Sequence, residues 1–242
     1  MSAVVVNNLS YCYQKGGKHI LKDLNFTVEQ GQIVAVLGLS GSGKSTLCLC
    51  LGGIIPHYFG GEMTGQVLIN GQDTAKCKIA RLALEVGIVF QDADTQLFSP
   101  IVEDEIAFAP ENLCLPPEQI RYRVDAVIDM VGINHLRYEN TNNLSGGQKH
   151  LVAMASVLTL DPSILVLDEV LAQLDAAVKE NVIEILLELC RQGKTIIIVE
   201  HDLEAVTIAD RVLLLEDGML VNDGPASILQ DKELLARHKL LI

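Results

Sequence analysis

The chain carries a glycine-rich stretch with the sequence Gly38-Leu39-Ser40-Gly41-Ser42-Gly43-Lys44-Ser45-Thr46. It follows an apolar run, 33–37, typical of a buried strand, and it leads into a segment that begins as a helix. Glycine at positions 38, 41 and 43 permits positive φ and a close approach of backbone N–H groups to an anion. Lys44 adds a positive charge, and the Ser45 hydroxyl is a ligand for Mg²⁺. The stretch predicts a loop that binds the phosphates of a nucleotide. The alternative is a plain strand-to-helix turn, which the flanking elements disfavour.

Length, composition and charge limit the class of protein. The 242 residues are long enough for one large domain or for a compact body with a subdomain. Apolar residues make up 49% and Trp is absent, as expected for a sheet of Val, Ile and Leu strands covered by helices. The net charge of -13, without a cluster of Lys and Arg, argues against a nucleic-acid partner.

The cysteines and the apolar runs predict the compartment. Six cysteines show neither C-x-x-C spacing nor a nearby His in a metal-ligand pattern, so we expect small buried side chains in a reducing compartment. The N-terminus lacks the features of a signal peptide. The longest mostly apolar stretch, 151–160, is far shorter than the ~20 residues of a membrane helix. We therefore expect a soluble chain whose membrane role requires a partner.

The N-terminal part has the pattern of antiparallel strands. Short alternating runs at 4–6 and 24–28 flank a turn-prone segment, 15–18. Tyr11 and Tyr13 lie between these runs. Either ring could stack on a nucleotide base or belong to the core, and the pattern alone does not decide between the two.

Residues 99–143 predict an inserted helical subdomain. Its prolines are expected to punctuate short helices, and they stand at Pro100, Pro110, Pro116 and Pro117. The clearest helix covers 118–131, where apolar residues recur at the spacing of one helix face. No set of residues in this part has the pattern of a catalytic site.

Polar residues follow three apolar runs that read as buried strands. Gln91 follows 86–90, Asp168 and Glu169 end the run from Ile164, and His201 follows 195–199. Ligands of open α/β sheets bind at the carboxyl ends of the strands. Asp168 is a candidate to hold Mg²⁺ through water, Glu169 to orient or deprotonate water, and His201 to contact a γ-phosphate. The alternative is a set of ordinary polar residues at strand ends, which remains open for Gln91.

A second candidate anion site reads Asn143-Leu144-Ser145-Gly146-Gly147-Gln148. Ser145 occupies the position of a helix N-cap, and the helix is expected from about 149 to 160. The two glycines permit close backbone approach. A plain capped helix start is the alternative.

Taken together, these stretches resemble the nucleotide-binding subunit of ABC transporters over nearly the whole chain. The 38–46 stretch resembles Walker A, 144–148 the ABC signature, 164–169 Walker B, and His201 the switch histidine. Gln91 matches the Q-loop and Asp175 the D-loop aspartate. Tyr13 matches the aromatic residue that stacks on adenine, which resolves the choice between the two tyrosines.

The resemblance implies an α/β P-loop NTPase fold, with a mixed sheet core, an N-terminal antiparallel β subdomain and an inserted helical subdomain. In one domain of 1–242, residues 1–90 and 160–242 form the core, and 91–159 form the helical and signature part. The implied cofactors are ATP and Mg²⁺, with the metal on Ser45, Gln91 and, through water, Asp168. Lys44, Glu169 and His201 are the implied catalytic residues.

A narrower resemblance points to the ATPases of energy-coupling-factor importers, which take up vitamins or transition-metal ions. It rests on 90–98, on 103–111 and on 55–65. The implied partners are a second cassette, identical or related, a transmembrane coupling subunit and a substrate-binding membrane subunit. The implied location is the cytoplasmic face of the cell membrane. The alternative is a non-transport soluble ABC ATPase.

Several positions depart from the family pattern. Lys149-His150-Leu151 lacks the customary arginine, Val170 replaces a common proline, and Ala172-Gln173-Leu174-Asp175 is an unusual D-loop. We expect activity with altered coupling between sites. The segment after the core is short, which predicts that dimerisation depends strongly on ATP.

Overall fold

A computed structural model describes residues 1–240. The strands are β1 (Ser2–Cys12), β2 (Leu21–Glu29), β3 (Ile33–Leu37), β4 (Glu62–Ile69), β5 (Gln72–Asp73), β6 (Val86–Val89), β7 (Ile164–Asp168), β8 (Thr195–Glu200), β9 (Arg211–Glu216) and β10 (Met219–Pro225). The helices are α1 (Lys44–Leu51), α2 (Ile54–His57), α3 (Ile79–Leu82), α4 (Val102–Asn112), α5 (Pro117–Val131), α6 (Gly146–Leu158), α7 (Ala176–Arg191) and α8 (Lys232–Arg237).

The main sheet is mixed, with the order β10-β9-β3-β8-β7-β6. Strands β3 and β6 to β9 pair in parallel, and β10 is antiparallel to β9. Every residue of β3 and β7 is buried, because helices and the second sheet cover both faces. The carboxyl ends of the parallel strands lie at one edge, which brings the predicted polar residues together.

The second sheet is antiparallel, with the order β2-β1-β4-β5. It confirms the antiparallel N-terminal part, with longer strands than the sequence predicts. Helix α2 covers Ile54–His57, and β4 already begins at Glu62. Pairing of Glu62 with Cys12 of β1 extends the strand beyond its apolar pattern.

Helices α4, α5 and α6 follow β6 and precede β7 along the chain. The three helices pack against one another. Helix α5 confirms the predicted apolar face, with Val124, Val127 and Val131 buried. The expectation that Pro110 punctuates the helices is wrong, because it lies inside α4, which continues to Asn112. The proline stands in the last turns, where the loss of one backbone donor interrupts little of the helix.

The C-terminal part is only partly helical. Strand β10 continues to Pro225, and a 3₁₀ turn, Ala226–Gln230, precedes α8. Residues 241–242 lie outside the described part of the chain. Among residues 1–240, no helix has both the length and the apolar character needed to cross a membrane.

Candidate functional site

The glycine-rich loop connects β3 to α1, as predicted. Gly41 and Gly43 have φ of 79° and 107°, a conformation that side chains disfavour. The expectation of positive φ is wrong for Gly38. This glycine is required by close packing instead, because a Cβ there would lie 2.3 Å from the carbonyl oxygen of Leu215 on β9.

Lys44 is the first residue of α1, and only 4% of its surface is exposed. Its Nζ donates hydrogen bonds to the carbonyl oxygens of Gly38 (2.8 Å) and Leu39 (3.2 Å). The same Nζ is 3.0 Å from Oε1 of Glu169. Because a buried ammonium must be paired, the loop carbonyls and Glu169 satisfy this charge without a nucleotide.

Glu169 follows β7 in a left-handed conformation, with φ of 52°. For a residue other than glycine, such a backbone costs about 1 to 3 kcal/mol and is found preferentially at functional sites. The side chain is almost buried and contacts three neighbours. Besides Lys44, Oε2 accepts a hydrogen bond from Nε2 of Gln91 (3.1 Å) and lies 3.5 Å from Nδ1 of His201. The three strand ends therefore do converge.

Asp168, the last residue of β7, has the properties of a metal-binding carboxylate. It is buried, and its Oδ1 has no hydrogen-bond partner within residues 1–240. Burial raises the pKa of this carboxyl, while the adjacent Ser45 hydroxyl and Lys44 act in the opposite direction. An orphaned carboxylate oxygen beside a serine hydroxyl fits the oxygen ligands that Mg²⁺ prefers.

The two tyrosines have different environments. Tyr11 is buried, and its hydroxyl donates to the carbonyl oxygen of Gly60 at 2.6 Å. Tyr13 is 44% exposed, and its hydroxyl is 3.2 Å from Oγ1 of Thr46 on α1. Only Tyr13 of the two lines a cavity of about 300 Å³, with Ile20, Ser40, Gly41, Gly43, Lys44, Ser45, Thr46, Gln91 and Glu169. The cavity places an aromatic ring at the phosphate loop.

The second predicted anion site is a capped helix start. Ser145 is the N-cap of α6, and its Oγ accepts a hydrogen bond from the backbone N–H of Gln148 (3.3 Å). Oε1 of Gln148 accepts the backbone N–H of Ser145 in return (2.9 Å). This reciprocal capping box fixes the turn. Ser145 and Gly146 remain exposed to solvent.

The Ser145 turn and the phosphate loop of the same chain line different cavities. The Ser145 turn borders a cavity of about 590 Å³ that Gly147, Gln173 and Asp175 also line. Within the described residues, this cavity shares no lining residue with the one at Lys44. The structure thus keeps the two predicted anion sites apart.

Two further residues contact the site and were not predicted. Glu200, the last residue of β8, is fully buried, and its Oε1 accepts the backbone N–H of Ala172 at 3.1 Å. The ring nitrogens of His150 lie 3.0 Å from the carbonyl oxygens of Gly146 and Gln91. The signal for Glu200 was present, since it continues the inward alternation of Ile196 and Ile198.

Two solved structures share this architecture. CbiO1 of Clostridium perfringens, described as part of the ABC transporter complex cbiONQ, superposes with a TM-score of 0.84 at 35% identity, covering 100% of this chain and 96% of that chain. A dimeric ATP-binding cassette, solved in a post-hydrolysis state with ADP and phosphate, gives a TM-score of 0.81 at 26% identity, covering 92% and 98% of the two chains.

Proteins with similar sequences include ATP-binding subunits of transporters. The energy-coupling factor transporter ATP-binding protein EcfA of Methanothermobacter thermautotrophicus is 41% identical over 98% of this chain and 76% of its own length. Several other relatives are longer, and this chain spans 35 to 42% of them.

The family described as ABC transporter matches residues 21–172. This match covers the phosphate loop, the Ser145 turn and the end of β7. The fold expected from the sequence, a P-loop ATPase with an antiparallel N-terminal sheet, is confirmed. This chain belongs to the ABC transporter family and is an ATP-binding cassette of the ATP-hydrolysing type.

Proposed function

We propose that this chain is one of two ATPase subunits that power an importer of the energy-coupling-factor type. The separation of the two anion sites carries the proposal. Lys44 and Ser145 of the same chain line different cavities, which favours a nucleotide that meets Ser145 of another chain. A second cassette, identical or related, completes each site with Ser145, Gly146, Gly147 and Gln148. The dimeric cassette among the similar structures supports this arrangement.

The nucleotide is held at the cavity of Lys44. Tyr13 stacks on the base, and the loop binds the phosphates through Gly38, Ser40, Gly41, Ser42, Gly43, Ser45 and Thr46. Lys44 exchanges its contacts with Gly38, Leu39 and Glu169 for phosphate oxygens. Binding therefore releases Glu169 from the cation that neutralises it.

Ser45, Gln91 and, through water, Asp168 hold Mg²⁺ in this proposal. Bound there, the metal would supply positive charge that neutralises the phosphates. Gln91 offers its amide oxygen, while its Nε2 is the group that contacts Glu169. Oδ1 of Asp168 has no hydrogen-bond partner among residues 1–240, and the Ser45 hydroxyl lies close enough to lower the pKa of the same carboxyl.

Hydrolysis depends on Glu169, Lys44 and His201. Once Lys44 binds phosphate, Glu169 becomes a free carboxylate that orients the attacking water and accepts its proton. Lys44 and His201 stabilise the charge on the γ-phosphate. Replacing Glu169 by Gln should lower the steady-state ATPase rate by about 100-fold or more while ATP still binds. Hydrolysis at the wild-type rate in Glu169→Gln would refute this role.

The membrane partner docks beside Gln91. Phe98 and Phe108 are 68% and 45% exposed, and their ring centroids are 5.4 Å apart. Such an exposed aromatic pair next to the Gln91 segment suits an interface. The relatives named EcfA and CbiO1 support a transmembrane coupling subunit and a substrate-binding subunit. The cargo is a vitamin or a transition-metal ion, and the location is the cytoplasmic face of the cell membrane.

Purification from detergent-solubilised membranes tests the transport role. Mass spectrometry of the affinity-tagged chain should find two multi-span membrane subunits in fixed stoichiometry. The Phe98→Ser, Phe108→Ser double variant should lose them while keeping its ATP affinity. Recovery of a wild-type chain that hydrolyses ATP but carries no membrane subunit would favour a non-transport ATPase.

A further inference from the structure

Glu200 is a buried acid that the proposed chemistry does not use. It ends β8, immediately before His201, and its side chain has no exposed surface. Oε1 accepts the backbone N–H of Ala172 at 3.1 Å, whereas Oε2 has no hydrogen-bond partner among residues 1–240. Leaving a buried carboxylate oxygen unpaired is costly, so this oxygen requires an explanation.

The two oxygens of Glu200 face different parts of the site. Ala172 belongs to a 3₁₀ turn, Leu171–Gln173, that leads to the N-cap of α7. On the other side, Oε2 lies 4.0 Å from Nδ1 of His201, about one ångström beyond hydrogen-bond distance. His201 is closer to Glu169, at 3.5 Å.

The 3₁₀ turn and the residues after it lie near the Ser145 turn. Leu174 packs towards Gly147, since a Cβ added to Gly147 would lie 3.8 Å from Cδ2 of Leu174. Gln173 and Asp175 line the same cavity as Ser145. A side chain that fixes Ala172 therefore supports the surface that the proposed second cassette meets.

We propose that Glu200 is a positioning residue for ATP hydrolysis. Its Oε1 holds the 171–175 segment, and its Oε2 forms a hydrogen bond with Nδ1 of His201 when nucleotide binds. This inference rests on the proposed function of His201. Nucleotide binding withdraws Lys44 from Glu169 and changes the environment of His201, and a shift of about 1 Å brings the imidazole within hydrogen-bond distance of Glu200. Burial raises the pKa of Glu200, which favours a neutral carboxyl that can donate to Nδ1. The imidazole would then keep its proton on Nε2, the nitrogen available to the γ-phosphate.

Two substitutions separate positioning from simple packing. Glu200→Gln keeps an acceptor for Ala172 and a donor for His201. Glu200→Met fills a similar volume with neither group. Glu216→Gln is the matched control, because Glu216 also contacts a histidine. Its Oε2 lies 2.7 Å from Nδ1 of His238.

The first measurement is backbone amide exchange at Ala172 by NMR in the nucleotide-free chain. Protection should persist in Glu200→Gln and Glu216→Gln and be lost in Glu200→Met. The second measurement is steady-state ATPase activity. In Glu200→Met, kcat should fall at least about tenfold, while KM for ATP should change less than about threefold. In Glu200→Gln, kcat should stay near the wild-type value.

Loss of protection in Glu200→Met with an unchanged kcat would overturn the inference, since the contact would then be structural only. An equal loss of kcat in both Glu200 variants, in parallel with their Tm, would overturn it as well. If the wild-type chain hydrolyses no ATP, the proposed function fails, while the exchange at Ala172 still decides whether Glu200 holds the 171–175 segment. The two failures are therefore distinguishable.

Discussion

The phosphate loop and the Ser145 turn are both helix starts for which we propose an anion ligand, but they differ in how many of their polar groups the chain itself pairs. At the loop, Lys44 is buried and paired with Glu169 and two carbonyl oxygens. At the Ser145 turn, the capping box is closed, yet Ser145 and Gly146 face solvent. The charges of the first region are satisfied within one chain, and we propose that a second cassette completes the nucleotide site there. The second region is a preformed, exposed helix start, and we propose that it meets a nucleotide held by the other cassette.

The largest expected effect comes from a substitution in the phosphate-loop region. Lys44→Ala should abolish measurable ATP binding and lower hydrolysis by about 100-fold or more, because it removes the charge that phosphates would meet. Lys194→Ala is the control, since Lys194 pairs with Asp161 far from the loop in a surface contact. Calorimetric titration with ATP measures the effect. Wild-type affinity in Lys44→Ala would contradict the role assigned to the loop.

A smaller and different effect is expected at the Ser145 turn. Ser145→Ala should leave ATP binding by the single chain intact and lower hydrolysis by at least about tenfold. It also removes a helix cap, which costs about 1 kcal/mol, or roughly 2 to 4 °C in Tm.

Ser145→Asp separates the two contributions of this residue. Aspartate is as good an N-cap as serine, so Tm should be retained, but its charge opposes the γ-phosphate. Hydrolysis should therefore be lost in a fully stable protein. If Ser145→Asp hydrolyses ATP normally, the turn does not meet a nucleotide.

The tyrosines sharpen the comparison within the first region. Tyr13→Ala should weaken ATP binding by about tenfold, because base stacking on an aromatic ring is worth about 1 to 3 kcal/mol. Tyr11→Phe removes only the hydrogen bond to Gly60 and should leave ATP affinity unchanged while lowering Tm. Equal losses of affinity in both variants would show that Tyr13 acts through packing.

The smallest effect concerns the pH dependence of stability. Because burial raises its pKa, the carboxyl of Glu200 binds a proton more readily in the folded chain than in the unfolded chain. Stability from this group is therefore highest below its unfolded pKa, and it declines as pH rises towards the raised folded value. The Tm of Glu200→Gln, minus that of wild type, should increase as pH rises above the unfolded pKa of glutamate, about 4.3. A pH-independent difference would show that Glu200 does not titrate differently in the fold.

The sequence predicted those parts of the site that depend on local pattern. The phosphate loop, the strand-end residues and the Ser145 cap follow from motif spacing and from the parallel sheet. Pairwise contacts did not follow, because Lys44 with Glu169 and Glu200 with Ala172 join residues far apart in the chain.

The tyrosines show why pattern alone has this limit. Tyr11 and Tyr13 stand two residues apart, so alternation places both on one face of a strand. Strand β1 ends at Cys12, however, and Tyr13 lines the cavity at Lys44. The family resemblance was needed for that choice. The division into a core of 1–90 and 160–242 with a helical part of 91–159 stays a prediction, as do the individual roles of the site residues.

The most direct test of the account is the mass of Glu169→Gln in solution. Size-exclusion chromatography with light scattering would compare the variant alone, with ADP and Mg²⁺, and with ATP and Mg²⁺. The account predicts that the mass doubles only with ATP and that adding Ser145→Asp to the same chain prevents this. A chain that binds ATP and Mg²⁺ yet keeps the same mass in all three conditions would contradict the claim that nucleotide joins two copies of this chain.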